Sequence, residues 1–295
     1  RAAAGAPPPP AAAARPAATP PSRTRIAAGA GGGAPARGQA AIAVLTPGPG
    51  WDVVAGDDSE APYRVGFQAV QAPPAARLTY AVVRSVPGQP DQPGGTAYLE
   101  WRAGDGGYRL SIDGVTGSVE SRGQMSDTGF VPLETRQTSA DGAVDTVRFD
   151  WGGARATFTA SGAALQVAPD GQDRASLLLR LSGMGLGGAA QLNGVIEVQV
   201  AGSAGLATVR FERIGEEETI DTALGPLATV HLAQLAPAGA ARLDVWLAPA
   251  RAWYPVRLRV TAPDGSAATQ TVSTFDATID ARADAKTDNK IISAP

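Results

Sequence analysis

The sequence predicts an all-β, mainly antiparallel domain: a half-open barrel or β-spiral wrapped around one short α-helix, with a disordered N-terminal spacer. Three observations carry this. Apolar and polar residues alternate at a period of two in run after run between about residues 62 and 275. Asp-Gly and Gly-Gly pairs punctuate those runs at the spacing of short strands. One leucine-rich stretch near the middle switches to helical spacing.

The strands come first. Leu78-Thr79-Tyr80-Ala81-Val82 alternates large and small side chains, and Val144, Thr146 and Arg148 alternate with Asp145, Val147 and Phe149. In Val195–Val200, Ile196, Val198 and Val200 share one face while Glu197 and Gln199 take the other. Leu206–Phe211, Leu243–Leu247 and Val256–Val260 keep the same period, the last with Arg257 and Arg259 turned to water. One apolar face per strand is the pattern of an antiparallel sheet with a core on one side. Between the runs stand Asp105-Gly106-Gly107, Asp113-Gly114, Asp141-Gly142, Gly152-Gly153, Asp170-Gly171 and Asp264-Gly265. Such pairs supply the positive backbone angles of hairpin turns.

The helix is expected over Gln172 to about Met184, where Leu177, Leu178, Leu181 and Met184 fall on one face. Asp173 caps its start, and Gly183 or Gly185 ends it. Its leucine face then packs on the concave side of the curved sheet; a further strand is the competing reading.

Composition bounds the function. The 295 residues, 44% hydrophobic and 18% charged, suffice for one or two domains with a sizeable core. A net charge of -3 excludes a generally basic nucleic-acid surface. With no cysteine and one histidine, disulfides, thiolate chemistry and His-rich metal sites are excluded. Residues 1–61 are rich in Ala, Pro and Gly and read as a disordered spacer, either a tether or compositional drift. Residues 62–279 form the β-rich domain and 280–295 a polar tail. The start at Arg1 is read as the mark of a removed upstream segment, a signal or a membrane anchor.

An ordered set of fragments then resembles a known family. They include Arg77-Leu78-Thr79-Tyr80, Ala97-Tyr98-Leu99-Glu100-Trp101, Gly129-Phe130-Val131-Pro132 and Val147-Arg148-Phe149-Asp150-Trp151. Gly171-Gln172-Asp173-Arg174-Ala175-Ser176, Val245-Trp246-Leu247-Ala248-Pro249 and Tyr254-Pro255-Val256-Arg257-Leu258-Arg259 follow in order. Over about residues 62–275 the chain resembles the bacterial domain of unknown function numbered 3108, a family of exported, mostly Gram-negative envelope proteins. The resemblance implies a β-rich half-open barrel or spiral in the periplasm or envelope and no established activity. Similar sheets around a helix occur in periplasmic lipoprotein-carrier chaperones, a likeness of fold and not of function. Where the helix does not fill the apolar concave side of such a sheet, the remaining cavity suits an acyl chain or an apolar peptide.

Candidate residues are weighed on chemistry. Gly183-Met184-Gly185-Leu186-Gly187-Gly188 fits a dinucleotide fingerprint in letters, but a helix precedes it where a strand is needed, so it reads as a flexible connection. His231 has no nucleophile motif to serve and reads as a histidine at the edge of a strand. Asp57-Asp58-Ser59-Glu60 and Glu216-Glu217-Glu218 read as solvated turns. Trp101, Trp151, Trp246 and Trp253 line a carbohydrate or lipid cleft or, more simply, fill a core.

The cavity candidates are Trp101, Trp151, Leu177, Leu178, Leu181 and Trp246, with Asp150, Gln172 and Asp173 as polar contacts. No catalytic residue, metal ligand or cofactor is assigned. The leading expectation is a non-enzymatic envelope protein that binds a lipid, a lipoprotein segment or a protein partner, and no nucleic acid. A carboxylate hydrolase is the alternative, requiring two of Glu100, Asp150, Asp173, Glu197 and Glu212 within about 5–10 Å in one cleft. A scaffold with a filled core is the third.

Overall fold

The structure, a computed structural model, describes residues 69–277 except 105, 106 and 204. The spacer over 1–61 and the tail over 280–295 lie outside the described residues.

Alternation becomes strands throughout. The first half holds β1 (Ala76–Ser85), β2 (Gln92–Gly104), β3 (Gly107–Gly114), β4 (Gly117–Ser126), β5 (Gly129–Thr138), β6 (Val144–Asp150), β7 (Arg155–Phe158) and β8 (Ala164–Gln166). A two-residue β9 (Gln172–Asp173) leads into the helix α1 (Arg174–Gly187). After it come β10 (Val195–Ala201), β11 (Leu206–Arg213), β12 (Glu218–Thr222), β13 (Gly225–Gln234), β14 (Arg242–Ala248), β15 (Tyr254–Thr261) and β16 (Ala267–Asp276). The expected faces are the observed ones: Ile196, Val198 and Val200 are buried, as are Val256, Leu258 and Val260.

All sixteen strands belong to one mostly antiparallel sheet. Its order is β8-β7-β6-β5-β4-β3-β2-β1-β16-β15-β14-β13-β11-β10-β9, with β12 beside β13. Neighbouring hairpins account for most of it, and β1 with β16 joins the two halves. The one parallel pair among the described residues is β9 with β10. The two ends of this order, β8 and β9, are separated in sequence by residues 167–171 alone. The sheet therefore curls until its ends are linked by a short piece of chain, not by a ladder of hydrogen bonds. Register shifts in β1, between β4 and β5, and between β14 and β15 mark bulges. Each adds local bend and twist to the sheet.

The helix fills the inside of that curl. Twelve of its fourteen residues, Arg174 to Gly185, are buried. It touches β3, β4 and β5 on one arm and β10 and β15 on the other. The expected single leucine face is thus only part of the contact, because the arms close on the helix from more than one side. Burying a leucine such as Leu177, Leu178, Leu179 or Leu181 contributes about 2 kcal/mol each.

The glycine run is not a flexible connection. The helix does not stop at Gly183 or Gly185 but continues to Gly187, with Gly188 as its cap. These glycines are contact points. A Cβ on Gly183 would meet the Gln71 carbonyl at 2.6 Å, and one on Gly187 would meet the Ala69 carbonyl at 1.6 Å. A Cβ on Gly185 would fall 2.3 Å from the Trp253 ring. Ala252 and Trp253 hold left-handed backbone angles (φ 50° and 60°), which is uncommon for such residues. That turn lays the indole against the helix.

Residues 69–75 form a strap across the helix. The Gln71 amide donates to the Gly183 carbonyl at 3.0 Å, and the Gln191 side chain bonds both the amide and the carbonyl of Ala69. The Pro73 carbonyl accepts from the Trp101 indole at 3.0 Å and the Pro74 carbonyl from the Tyr254 hydroxyl at 2.6 Å. A second, smaller apolar cluster of Val147, Phe149, Ala156, Phe158, Val167 and Ala201 packs where β6 and β7 approach β10.

Gly185→Ala tests this packing. Helix propensity alone favours alanine by about 1 kcal/mol, but overpacking against Trp253 costs about 1–3 kcal/mol. Denaturant unfolding is expected to show a net loss of stability, removed when Trp253→Ala is added.

Candidate functional site

The seam between helix and sheet is built around Asp173. As N-cap, its Oδ1 accepts from the amides of Ala175 at 2.8 Å and Ser176 at 2.9 Å. The Ser176 hydroxyl accepts from the Asp173 amide at 2.9 Å, completing a capping box. The other carboxylate oxygen accepts from the Ser121 hydroxyl of β4 at 2.5 Å. A serine has one hydroxyl proton, so the Tyr108 hydroxyl, 3.2 Å from Ser121 Oγ, is the donor in that bond. The result is a directed relay from Tyr108 to Ser121 to Asp173. Beside it, the Gln172 side-chain amide donates to the Phe130 carbonyl of β5 at 3.0 Å.

All of this lies in the interior: Gln172, Asp173 and Ser176 are fully buried. Burial pushes the Asp173 carboxyl above the ordinary aspartate range, against the hydroxyl and amide donors that pull it down. Burial, reinforced by the nearby Asp173 charge, raises the Tyr108 hydroxyl well above its usual range and keeps it a donor. The Trp101, Tyr108 and Phe130 rings pack at 5.3–5.9 Å between centroids on the same side of the helix. The arrangement fastens β4 and β5 to the start of the helix and has the character of a closure.

The other sequence-assigned residues are distributed more widely. Leu177, Leu178, Leu181 and Trp101 are in the main core, at 0–1% exposure. Trp246 lies on the opposite face of β14 from Val245 and Leu247. It stacks on His231 at 4.1 Å, lies 5.8 Å from the Arg257 guanidinium and donates its indole N–H to Glu218. Trp151 sits in the smaller cluster, stacked on Phe149 at 5.6 Å with its N–H on the Pro132 carbonyl. Asp150 is exposed and accepts from the Gly153 amide at 3.1 Å, so it shapes a turn and does not join Gln172 and Asp173.

His231 is not at a strand edge. It stands within β13, its Nε2 3.1 Å from buried Asp244 and its Nδ1 3.4 Å from Glu218. Arg242 also bonds Asp244, so this outward cluster is a polar network around a stacked indole. Sequence reasoning missed it because Glu218, His231 and Trp246 come from three strands.

It also missed an open cleft on the outer face of β2–β5. About 370 Å³ is lined by Glu100, Arg102, Arg109, Glu120, Arg122, Glu134 and Arg136 among others. Here Glu134 gathers three guanidinium groups, from Arg122, Arg136 and Arg148, each at 3.1 Å. Those side chains shield it from water without depth. Removal from water raises its carboxyl, but the arginine charges and hydrogen bonds outweigh that and hold it below the usual range. Among the described residues, no group of three or more His, Asp or Glu is placed to hold a metal ion, and no helix is long and apolar enough to cross a membrane.

Fold and site together define a one-sheet, half-open β-barrel that clasps its own helix. The family model for proteins of unknown function, DUF3108, matches residues 79–273, and the chain belongs to that family. Among solved structures, the chain is similar to the crystal structure of the lipoprotein LppX from Mycobacterium tuberculosis. The two are 14% identical, with 69% of this chain and 89% of that one covered and a TM-score of 0.22. No curated protein matches the chain.

Asp173 makes two outcomes measurable. Asp173→Ala removes the cap and strands the Ser121 hydroxyl in the core, for an expected loss of about 3 kcal/mol in chemical denaturation. The pH dependence has a definite sign. A carboxyl raised on folding contributes stability below its unfolded value, 3.8, and loses that contribution as pH rises through the folded value. Stability of the native chain is expected to fall with pH over that window. In Asp173→Asn, which keeps an acceptor for the cap, that component of the fall is expected to vanish.

Proposed function

We propose that this chain is a non-enzymatic protein of the cell envelope that binds an apolar ligand, a lipid or an apolar lipoprotein segment, against the inner wall of its sheet. The observation that carries this is what covers the wall. Leu78, Leu99, Leu110, Val245, Leu247, Val256 and Leu258 present a buried apolar surface, and α1 with the strap covers it in place of a second sheet. The strap is the thinner of these covers. Its two proline carbonyls are tied by side-chain donors from Trp101 and Tyr254, and Pro73 and Pro74 have no amide proton to add to a ladder. Moving residues 69–75 opens a way to the wall without breaking a strand pair.

Four of the five acids named for a hydrolase are engaged in other bonds. Glu100 pairs with Arg102, Glu197 with Arg210, Asp150 caps a turn and Asp173 caps the helix. The family resemblance supports an envelope location.

The test is uptake of a polarity-sensitive fluorescent fatty acid by the full chain, with native mass spectrometry of the same samples. One fatty acid per chain is expected. Trp101→Phe with Tyr254→Phe, which release the strap, are expected to raise the uptake rate. Absence of uptake in both the native chain and the strap variant would contradict the proposal and leave a filled scaffold.

A further inference from the structure

Strand register assembles a row of arginines on the outer face of the sheet. In β2, β3 and β4, Arg102 stands opposite Arg109 and Arg109 stands opposite Arg122. All three face outward, away from Trp101, Leu110 and Val119. Residues opposite each other on adjacent strands are in direct side-chain reach, and like charges there destabilise the sheet. The row continues to Glu134 in β5 and Arg148 in β6. Glu134 already accepts from Arg122, Arg136 and Arg148, and Arg102 is paired with Glu100. Arg109, at the centre, is exposed and has no acid within ion-pair distance among the described residues.

The adjoining space is amphipathic. A cleft of about 570 Å³ is lined by Arg102, Arg109 and Arg122 together with Ala103, Gly104 and Leu133. Leu133 is 38% exposed, one of the few large apolar side chains on this surface. Among the described residues on this lining Glu134 is the one carboxylate, against three guanidinium groups, while Glu100 and Glu120 line the adjoining cleft with the same arginines. A local basic cleft with an apolar side complements an anion attached to an apolar body. Arginine forks match phosphate oxygens in geometry as well as charge.

We infer that the outer face of β2–β4 binds the phosphate group of an anionic lipid, with Arg109 as the central contact flanked by Arg102 and Arg122. The lipid headgroup sits on the arginines, and its glycerol end lies toward Ala103 and Leu133. This site is on the opposite face of the sheet from the wall proposed to take an apolar ligand, and it stands without that proposal.

The experiment is co-sedimentation of the full chain with vesicles of phosphatidylcholine alone or of phosphatidylcholine mixed with phosphatidylglycerol. Binding to the anionic vesicles, weakened by salt, is expected. Arg109→Gln should weaken it by about fivefold, the share of one arginine near an anionic surface, while thermal unfolding shows no loss of stability. Arg259→Gln, an exposed arginine on β15, should leave binding unchanged. Equal binding to both vesicle types, or an equal drop for both variants, would overturn the site. Protection by inorganic phosphate without any vesicle binding would overturn the lipid as its source.

Discussion

The Asp173 carboxylate is the point on which helix, sheet and closure converge. One oxygen ends the helix backbone correctly and the other reaches across to Ser121 in β4. A curved sheet with two ends needs something other than strand pairing to hold its arms together, and β8 and β9 do not pair. The parallel step of β9 on β10, the Gln172 amide on β5 and the Asp173 bond to β4 supply that hold. A buried carboxylate is costly when unmatched. Here amides and a serine hydroxyl match it, with Tyr108 behind the serine.

Covering the inner wall imposes the second constraint. A helix enclosed from several sides cannot present side chains everywhere, and where backbone comes closest the sequence has glycine. Gly183 and Gly187 admit the strap and Gly185 admits Trp253. The helix thus accepts the propensity penalty of three glycines in exchange for contact with chain 69–71 and with the β14–β15 turn. Polar side chains on the outer face are arranged with more freedom, and there the arginine row and the His231–Trp246 stack occur.

Much of this was legible in the residues. Alternation in Val195–Val200 and Val256–Val260 named the buried faces correctly, because a one-sided sheet writes its core at a period of two. The cap at Asp173 was legible because capping is local. The role of Gly183–Gly188 was not, since the partners that require glycine lie more than sixty residues away at Trp253 or more than a hundred away at Ala69 and Gln71. Gathering Asp150 with Gln172 and Asp173 went too far for the same reason: nothing local separates a turn aspartate from a buried one. The arginine row did leave a signal. Arg102 and Arg109 are equidistant in sequence from the Asp105-Gly106 pair, and Arg109 and Arg122 from the turn between Gly114 and Gly117. Reading register from turn centres pairs them, whereas reading each strand alone shows only exposed charge.

The picture that unites these features is a firmly held helix under a lighter strap, and amide hydrogen exchange in the native chain measures that difference directly. Amides of Leu177 to Leu181 are expected to exchange only with global unfolding, alongside those of β3 and β4, while the Gln71 amide exchanges through a smaller, separate opening. Equal protection at Gln71 and in the helix, or loss of the helix amides ahead of the sheet, would contradict it.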